Sequence, residues 1–188
     1  AQISFDFEAA SFSRCVIHGE REFSVLVTPE HLPPINPSPW FAFRYETAPG
    51  DDLKVHLRYL GGAHRYAPIW SDGKSTRPLQ VEAGPSGNAV TVALPAGAGK
   101  VSAQELIDST HYHRALERWA RGRNAERLSL GRSHDRRRIE AVRIGKADAP
   151  RLVILLGRQH PPEVTGAIAM EAFVDRIAEM AEADPVLG

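Results

Sequence analysis

The sequence predicts an α+β chain of two domains: an antiparallel β-sandwich over residues 1–100, then the first part of an α/β mixed-sheet domain over 101–188. Three observations carry that expectation. Short alternating apolar segments separated by Pro- and Gly-rich turns fill the first hundred residues, the pattern of an all-β unit. A change of composition at Pro95–Lys100 then gives way to helical patterning. Finally, the aliphatic run Leu152–Leu156 leads into a long amphipathic segment, as a buried strand followed by a helix does.

In the first hundred residues, Ile3–Phe7, Phe23–Val27, Trp40–Tyr45, Leu53–Tyr59 and Ala89–Leu94 read as strands. Turn residues separate them at Pro33–Pro34, Asn36–Pro37, Pro49–Asp52, Asp72–Gly73 and Gly84–Pro85. His56 shares the alternating register of Lys54 and Arg58, so it is expected to face solvent, and His18 and His31 to lie in loops. None of the three makes an evident ligand pair. Trp40, Tyr45, Tyr66 and Trp70 read as sandwich core.

Pro95–Lys100 reads as a connector, with the domain boundary near residue 100. Ser102 and Glu105 fit a capping box opening one or two helices within 103–122, anchored by Leu106, Leu116 and Trp119. Arg127–Gly131 and Arg138–Ile144 then flank Ser133–Arg137 as a hairpin, with Ile139, Ala141, Val142 and Ile144 inward. Ten arginines between positions 114 and 143 face four acids. Such a cluster either binds phosphate backbones or is solvated and paired with Glu117, Glu126 and Asp135. No nucleic-acid recognition signature accompanies it, so no nucleic-acid partner is expected.

Leu152–Leu156 is expected to be a strand buried on both faces, delivering His160 and Glu163 at its end, where sites are built in open α/β sheets. The helix that follows spans Val164 to about Ala183, with Ala167, Met170, Val174, Ile177 and Ala181 on one stripe, widened by Phe173 and Met180. Extrapolated back one turn, Glu163 falls on that stripe, and a carboxylate aimed at a core needs a partner. His160 with Glu163 is a zinc-ligand combination. Equally, Glu163 answers the helix dipole, with Pro161 and Pro162 as helix-start residues.

Apolar residues make up 43% of the 188, enough for packed cores. Lys plus Arg and Asp plus Glu number 23 each, which gives no net pull toward nucleic acid or anionic membrane. Cys15 is the only cysteine, so no intrachain disulfide and no Cys-based zinc site can form, and a cytoplasmic location is expected. No apolar run approaches the ~20 residues of a membrane span. The chain starts at Ala1 without Met, which leaves a cleaved leader open.

Two motifs, in order, resemble those of the zinc metallocarboxypeptidases. Leu130–Ile139 is similar to the hairpin that opens their catalytic domain. Gly157-Arg158-Gln159-His160-Pro161-Pro162-Glu163 resembles their first zinc-binding motif, in the proline-containing version of the cytosolic carboxypeptidases and their bacterial relatives. The stretch from Asn36 to Arg44 is similar to the β-sandwich those relatives carry in front. The resemblance implies that 101–188 is the N-terminal portion of a zinc carboxypeptidase catalytic domain, incomplete, and that His160 and Glu163 are two of three protein ligands to Zn2+. It also implies that the second ligand His, the carboxylate-binding Arg and the catalytic Glu lie downstream. No His follows His160, so no catalytic residue is expected within this chain, and no substrate-binding residue is assigned. Arg136 stands where the family has Gly, and Pro162 where many digestive relatives have Arg. His111, His113 and His134 precede the motif, and the resemblance does not support them as ligands. The implied partner is a peptide C-terminus, and exposed sheet edges favour a homo-oligomer. Two other functions stay open: a zinc deacylase of N-acyl amino acids, and a non-catalytic β-sandwich binding module.

Overall fold

The computed structural model describes residues 1–11, 13–29, 39–84, 86–160 and 162–184. His31, Pro161 and the turns at Pro33–Pro34 and Asn36–Pro37 lie outside the described residues. The chain divides into two compact units, Ala1–Leu106 and Ile107–Gly188.

The first unit holds ten strands: β1 (Gln2–Ser4), β2 (Arg14–Gly19), β3 (Glu22–Val27), β4 (Ala42–Glu46), β5 (Leu53–Tyr59), β6 (Ile69–Ser71), β7 (Thr76–Pro78), β8 (Glu82–Ala83), β9 (Ala89–Leu94) and β10 (Ala98–Ser102). They form two five-stranded sheets, ordered β1-β4-β10-β6-β7 and β2-β3-β5-β9-β8. The expectation of purely antiparallel sheets is corrected in one place: β3 and β5 run parallel, Phe23 opposite Val55 and Val25 opposite Leu57. Between them the chain passes through β4 of the other sheet. Such a crossover returns it in its original direction, as parallel neighbours require.

Alternation explains the core of this unit. On β5, Leu53, Val55, Leu57 and Tyr59 are buried while Lys54 and Arg58 are exposed. Phe41 and Tyr59 meet edge to face, ring centroids 6.4 Å apart. Each fully buried aliphatic or aromatic side chain here contributes about 1.5–3 kcal/mol relative to exposure. Trp40 and Tyr45 join this core as expected, whereas Tyr66 and Trp70 are only half-buried.

Two histidine placements differ from expectation. His56 lies on the outer face but is half-covered: its Nδ1 is 2.8 Å from Thr91 Oγ1 and its Nε2 2.8 Å from Glu22 Oε1. The hydrogen bond from His56 holds the Glu22 carboxyl below its ordinary range. His18 is on β2, not in a loop. It sits at a register shift between Ile17 and Gly19, with Nε2 2.7 Å from Ser24 Oγ. Such an irregularity re-aims one side chain, here toward Ser24 on the neighbouring strand.

The stretch read as a connector is corrected as well. Ala98–Ser102 is β10, an inner strand between β4 and β6. Its composition hides this because Gly99 must leave room. A Cβ there would lie 2.7 Å from Trp70 Nε1 and 2.9 Å from Tyr45 Cε1. Those two side chains are themselves joined, Trp70 Nε1 donating to Tyr45 Oη at 2.7 Å and Tyr45 Oη to the Pro95 carbonyl at 3.0 Å.

The second unit holds α1 (Ser109–Trp119), the hairpin β11 (Ala125–Arg132) and β12 (Arg138–Ile144), and α2 (Val164–Ala183). The capping box does not form. Ser102 ends β10 and donates to the Gln104 carbonyl, and the helix is capped later, by Asp108 accepting from His111 N. Ala115, Trp119 and Val174 form the buried cluster, with Leu116, Val142, Ile144, Met170 and Ala178 against it. Ile139, expected inward, is exposed.

The largest correction concerns Leu152–Leu156. No strand forms there, and the five side chains are 77, 79, 70, 48 and 77% exposed. A strand exists only through its pairing. The hairpin strands pair only with each other, so the run has no ladder among the described residues.

Candidate metal centre

Four residues ahead of α2 define the site. Gly157 lies against Met170 of α2: a Cβ at this position would run into Met170 Sδ and lie 2.8 Å from its Cε. Arg158 follows in the left-handed region, φ 47. For a residue with a side chain this costs roughly 1–2 kcal/mol. Its guanidinium donates to the Ile107 carbonyl, ahead of α1. A charged donor contributes about 1.5–3 kcal/mol, enough to offset the backbone cost. Between 151 and 160, Arg158 alone is half-buried; the others are exposed.

His160 and Glu163 are brought together. His160 Nδ1 is 2.7 Å from Glu163 Oε1, and His160 N donates to Glu163 Oε2 at 3.2 Å. The backbone closes the same turn, Glu163 N donating to the His160 carbonyl at 3.2 Å. These bonds hold the Glu163 carboxyl below its ordinary range, the imidazole contributing most. An ionised carboxylate only accepts, so Nδ1 carries the proton between them. Glu163 does not point into the core. It is the N-cap of α2, with φ −81 and ψ 40, and its side chain is 46% exposed. The backward extrapolation assumed helical dihedrals that an N-cap does not have.

Two other histidines of this unit are engaged elsewhere. His111 Nε2 is 2.7 Å from Glu171 Oε1. His113 contacts Glu117 at 3.2 Å and Arg127 at 2.6 Å, and Arg127 also bonds Glu140 at 2.6 Å and holds that carboxyl low. His134 is exposed in the turn of the hairpin. Among the described residues, no three His, Cys, Asp or Glu side chains converge to hold a metal. His160 and Glu163 therefore fit two positions of a metal site, with the chemistry of the donors right for zinc. An open depression of about 420 Å³, lined by Ser109, Thr110, His113, Arg137, Arg138 and Glu140, lies in the same unit, and neither His160 nor Glu163 lines it.

Part of the arginine-rich stretch is paired within the unit. Arg118 pairs with Asp175, Arg127 with Glu140, and Arg143 with Glu126. Arg132 donates to the Arg136 carbonyl at 2.6 Å. Arg136, where the resemblance leads to Gly, keeps the left-handed turn with φ 59. Sequence reasoning missed Asp175 and Arg158. Asp175 is an ordinary polar position on the helix in sequence, and Arg158 carried no signal apart from its place in the motif.

No family model matches the chain. No curated protein matches it either. Solved structures do. A metallo-carboxypeptidase from Pseudomonas aeruginosa, in complex with (2-guanidinoethylmercapto)succinic acid, is similar at 20% identity and a TM-score of 0.73, over 94% of this chain and 49% of that one. A metallo-carboxypeptidase from Burkholderia cenocepacia is similar at 19% identity and a TM-score of 0.75, over 99% of this chain and 52% of that one. The fold is metallo-carboxypeptidase-like. The chain spans about half the length of these structures. No helix among its described residues is long and apolar enough to cross a membrane.

Proposed function

We propose that the chain is the N-terminal half of a zinc metallocarboxypeptidase of the cytosolic carboxypeptidase-like subfamily, a β-sandwich followed by the start of the catalytic domain. The observation that carries this reading is the His160–Glu163 pair, two converging zinc donors in the Gly157–Glu163 motif, on a fold shared with metallo-carboxypeptidases. Zinc, when bound, polarises the scissile carbonyl and lowers the pKa of its water to about 7. His160 and Glu163 hold the ion. No His follows His160 in the 188 residues to serve as the third ligand, and the resemblance implies that the catalytic Glu lies farther downstream as well. This chain alone therefore binds zinc weakly and turns over no substrate. The substrate of the whole enzyme is a peptide C-terminus, and the single cysteine suits a cytoplasmic home. A second copy of the chain pairs with the uncovered Leu152–Leu156 run.

The test is zinc titration against a chromophoric competitor. One zinc per chain, lost on His160→Ala and on Glu163→Ala, is the expected result. Zinc bound equally by both variants would overturn the assignment. A deacylase shares the same donor logic and would hydrolyse N-acyl amino acids when supplied as the whole protein. A pure binding module would take up no zinc at all.

A further inference from the structure

We infer that the outer face of the sheet β1-β4-β10-β6-β7 carries a binding site for a phosphate group, built on Arg44 and Lys100 and independent of the metal centre. The inner face of this sheet is core: Phe43, Tyr45 and Val101 are buried. Successive residues of a strand alternate faces, so Arg44 and Lys100 stand on the opposite side. The register sets them directly opposite one another on β4 and β10. It continues the row in both directions, with Ser4 of β1 beside Arg44 and Ser71 of β6 beside Lys100. Four neighbouring strands thus present Ser4, Arg44, Lys100 and Ser71 in one line across the sheet. With strands ~4.8 Å apart, the line is about 14 Å long.

Every member of that line has a hydrogen to give. The Arg44 and Lys100 side chains can only donate. Ser4 Oγ accepts from Asp6 N at 3.2 Å, and Ser71 Oγ accepts from Gly73 N at 3.1 Å and from Thr76 Oγ1 at 3.4 Å. Each hydroxyl therefore keeps its own proton for a further acceptor, and none takes it among the described residues. Nor does any carboxylate among the described residues pair with Arg44 or Lys100, although Glu46 lies on the same face two residues along β4. What the two cations touch instead is Phe7: Arg44 Cζ lies 4.7 Å and Lys100 Nζ 5.5 Å from the centre of its ring. Like charges directly opposite on paired strands repel, and the face of one aromatic ring offsets only part of that. A bound anion removes the repulsion. Phe7, Lys100 and both serines are half-buried, which keeps part of the solvent away from the charges. A guanidinium matches two oxygens at once and an ammonium takes a third. Three such donors, with a serine hydroxyl beside each cation, suit the four oxygens of a phosphate better than the two of a carboxylate.

The experiment follows the backbone amide resonances of the isotope-labelled 188-residue chain as sodium phosphate is added at constant ionic strength, with sodium chloride and sodium acetate as parallel titrations. Arg44→Gln, Lys100→Gln and the charge-keeping Lys100→Arg are titrated in the same way, and urea midpoints are recorded for each. Phosphate should give saturable shifts centred on Ser4, Arg44, Lys100 and Ser71. Each glutamine variant should weaken that binding about 10-fold, the effect of losing one charge-assisted hydrogen bond, with an unchanged midpoint. Lys100→Arg should retain it. Glycerol phosphate, run alongside, separates the two sources of the group: tighter binding of the ester means a phosphate carried on a larger molecule, and tighter binding of inorganic phosphate means the free ion. Shifts that never saturate, or that chloride reproduces, would overturn the site. Glutamine variants that bind phosphate as the unsubstituted chain does would overturn it too. Acetate bound as tightly as phosphate would overturn the assignment to phosphate.

Discussion

Asp175 of α2 accepts from two residues of α1, chiefly through one oxygen. Its Oδ1 accepts from Trp119 Nε1 at 2.6 Å and from Arg118 Nε at 3.2 Å. Trp119 is 6% exposed, so its indole N–H has little access to water. Asp175→Ala would strand that donor, a loss of about 1–3 kcal/mol. The Arg118 pair is half exposed on both sides and adds about 0–1 kcal/mol. The expected total is about 2–3 kcal/mol, or a fall in melting temperature on the order of 10 °C for a unit of this size. Asp175→Asn keeps an acceptor oxygen and should cost about 1 kcal/mol or less. The assay is urea unfolding followed by the indole Nε1–H resonances, which separate Trp119 from Trp40 and Trp70 of the first unit. An alanine variant within ~0.5 kcal/mol of the parent, or an asparagine variant no better than alanine, would refute the reasoning.

Three other outcomes are expected. Arg136→Gly should stabilise the second unit by about 0.5–1 kcal/mol, because relief of the left-handed backbone exceeds the added freedom of the unfolded chain; a lower urea midpoint would contradict it. Stability should fall as pH drops. Burial holds His64 below its ordinary 6.5, so the unfolded chain takes up that proton first and stability declines from about pH 6.5 downward. The depressed carboxyls Glu22, Glu140 and Glu163 add further loss below their ordinary 4.5, read as urea midpoints between pH 7 and 3; a midpoint that rises on acidification would count against this. Light scattering at tens of micromolar should show a dimer or larger species that Ile154→Lys shifts toward monomer, and a monodisperse parent monomer would exclude association through that run.

The parts legible in the sequence are those whose signal is local. α2 was readable to its ends because twenty residues repeat the helical period. β5 and β9 were readable from strict alternation. β10 was not, since an Ala-Gly start carries no apolar pattern and its place depends on Tyr45 and Trp70, distant in the chain. β2 was missed because it is an edge strand with Ile17 outward. Leu152–Leu156 has the composition of a central strand, but composition cannot supply neighbours. The same division holds at the site. The spacing of His160 and Glu163 was enough to bring them together, whereas the direction of Glu163 depended on N-cap dihedrals that no helical wheel contains.

The place of β10 also bears on how the first unit comes to be folded. Its sheet cannot close until residues 98–102 have been made, because β4 needs them on one side and β6 on the other. Pairings such as Phe43 with Val101 span more than half the unit, and contacts of that separation form slowly. During synthesis the earlier strands must wait with their apolar faces open, the state most prone to mispairing. A ribosome pausing before Gly99 would hold the nascent unit unfinished. One released after Ser102 would let both sheets form before the Gly157–Glu163 segment has been translated.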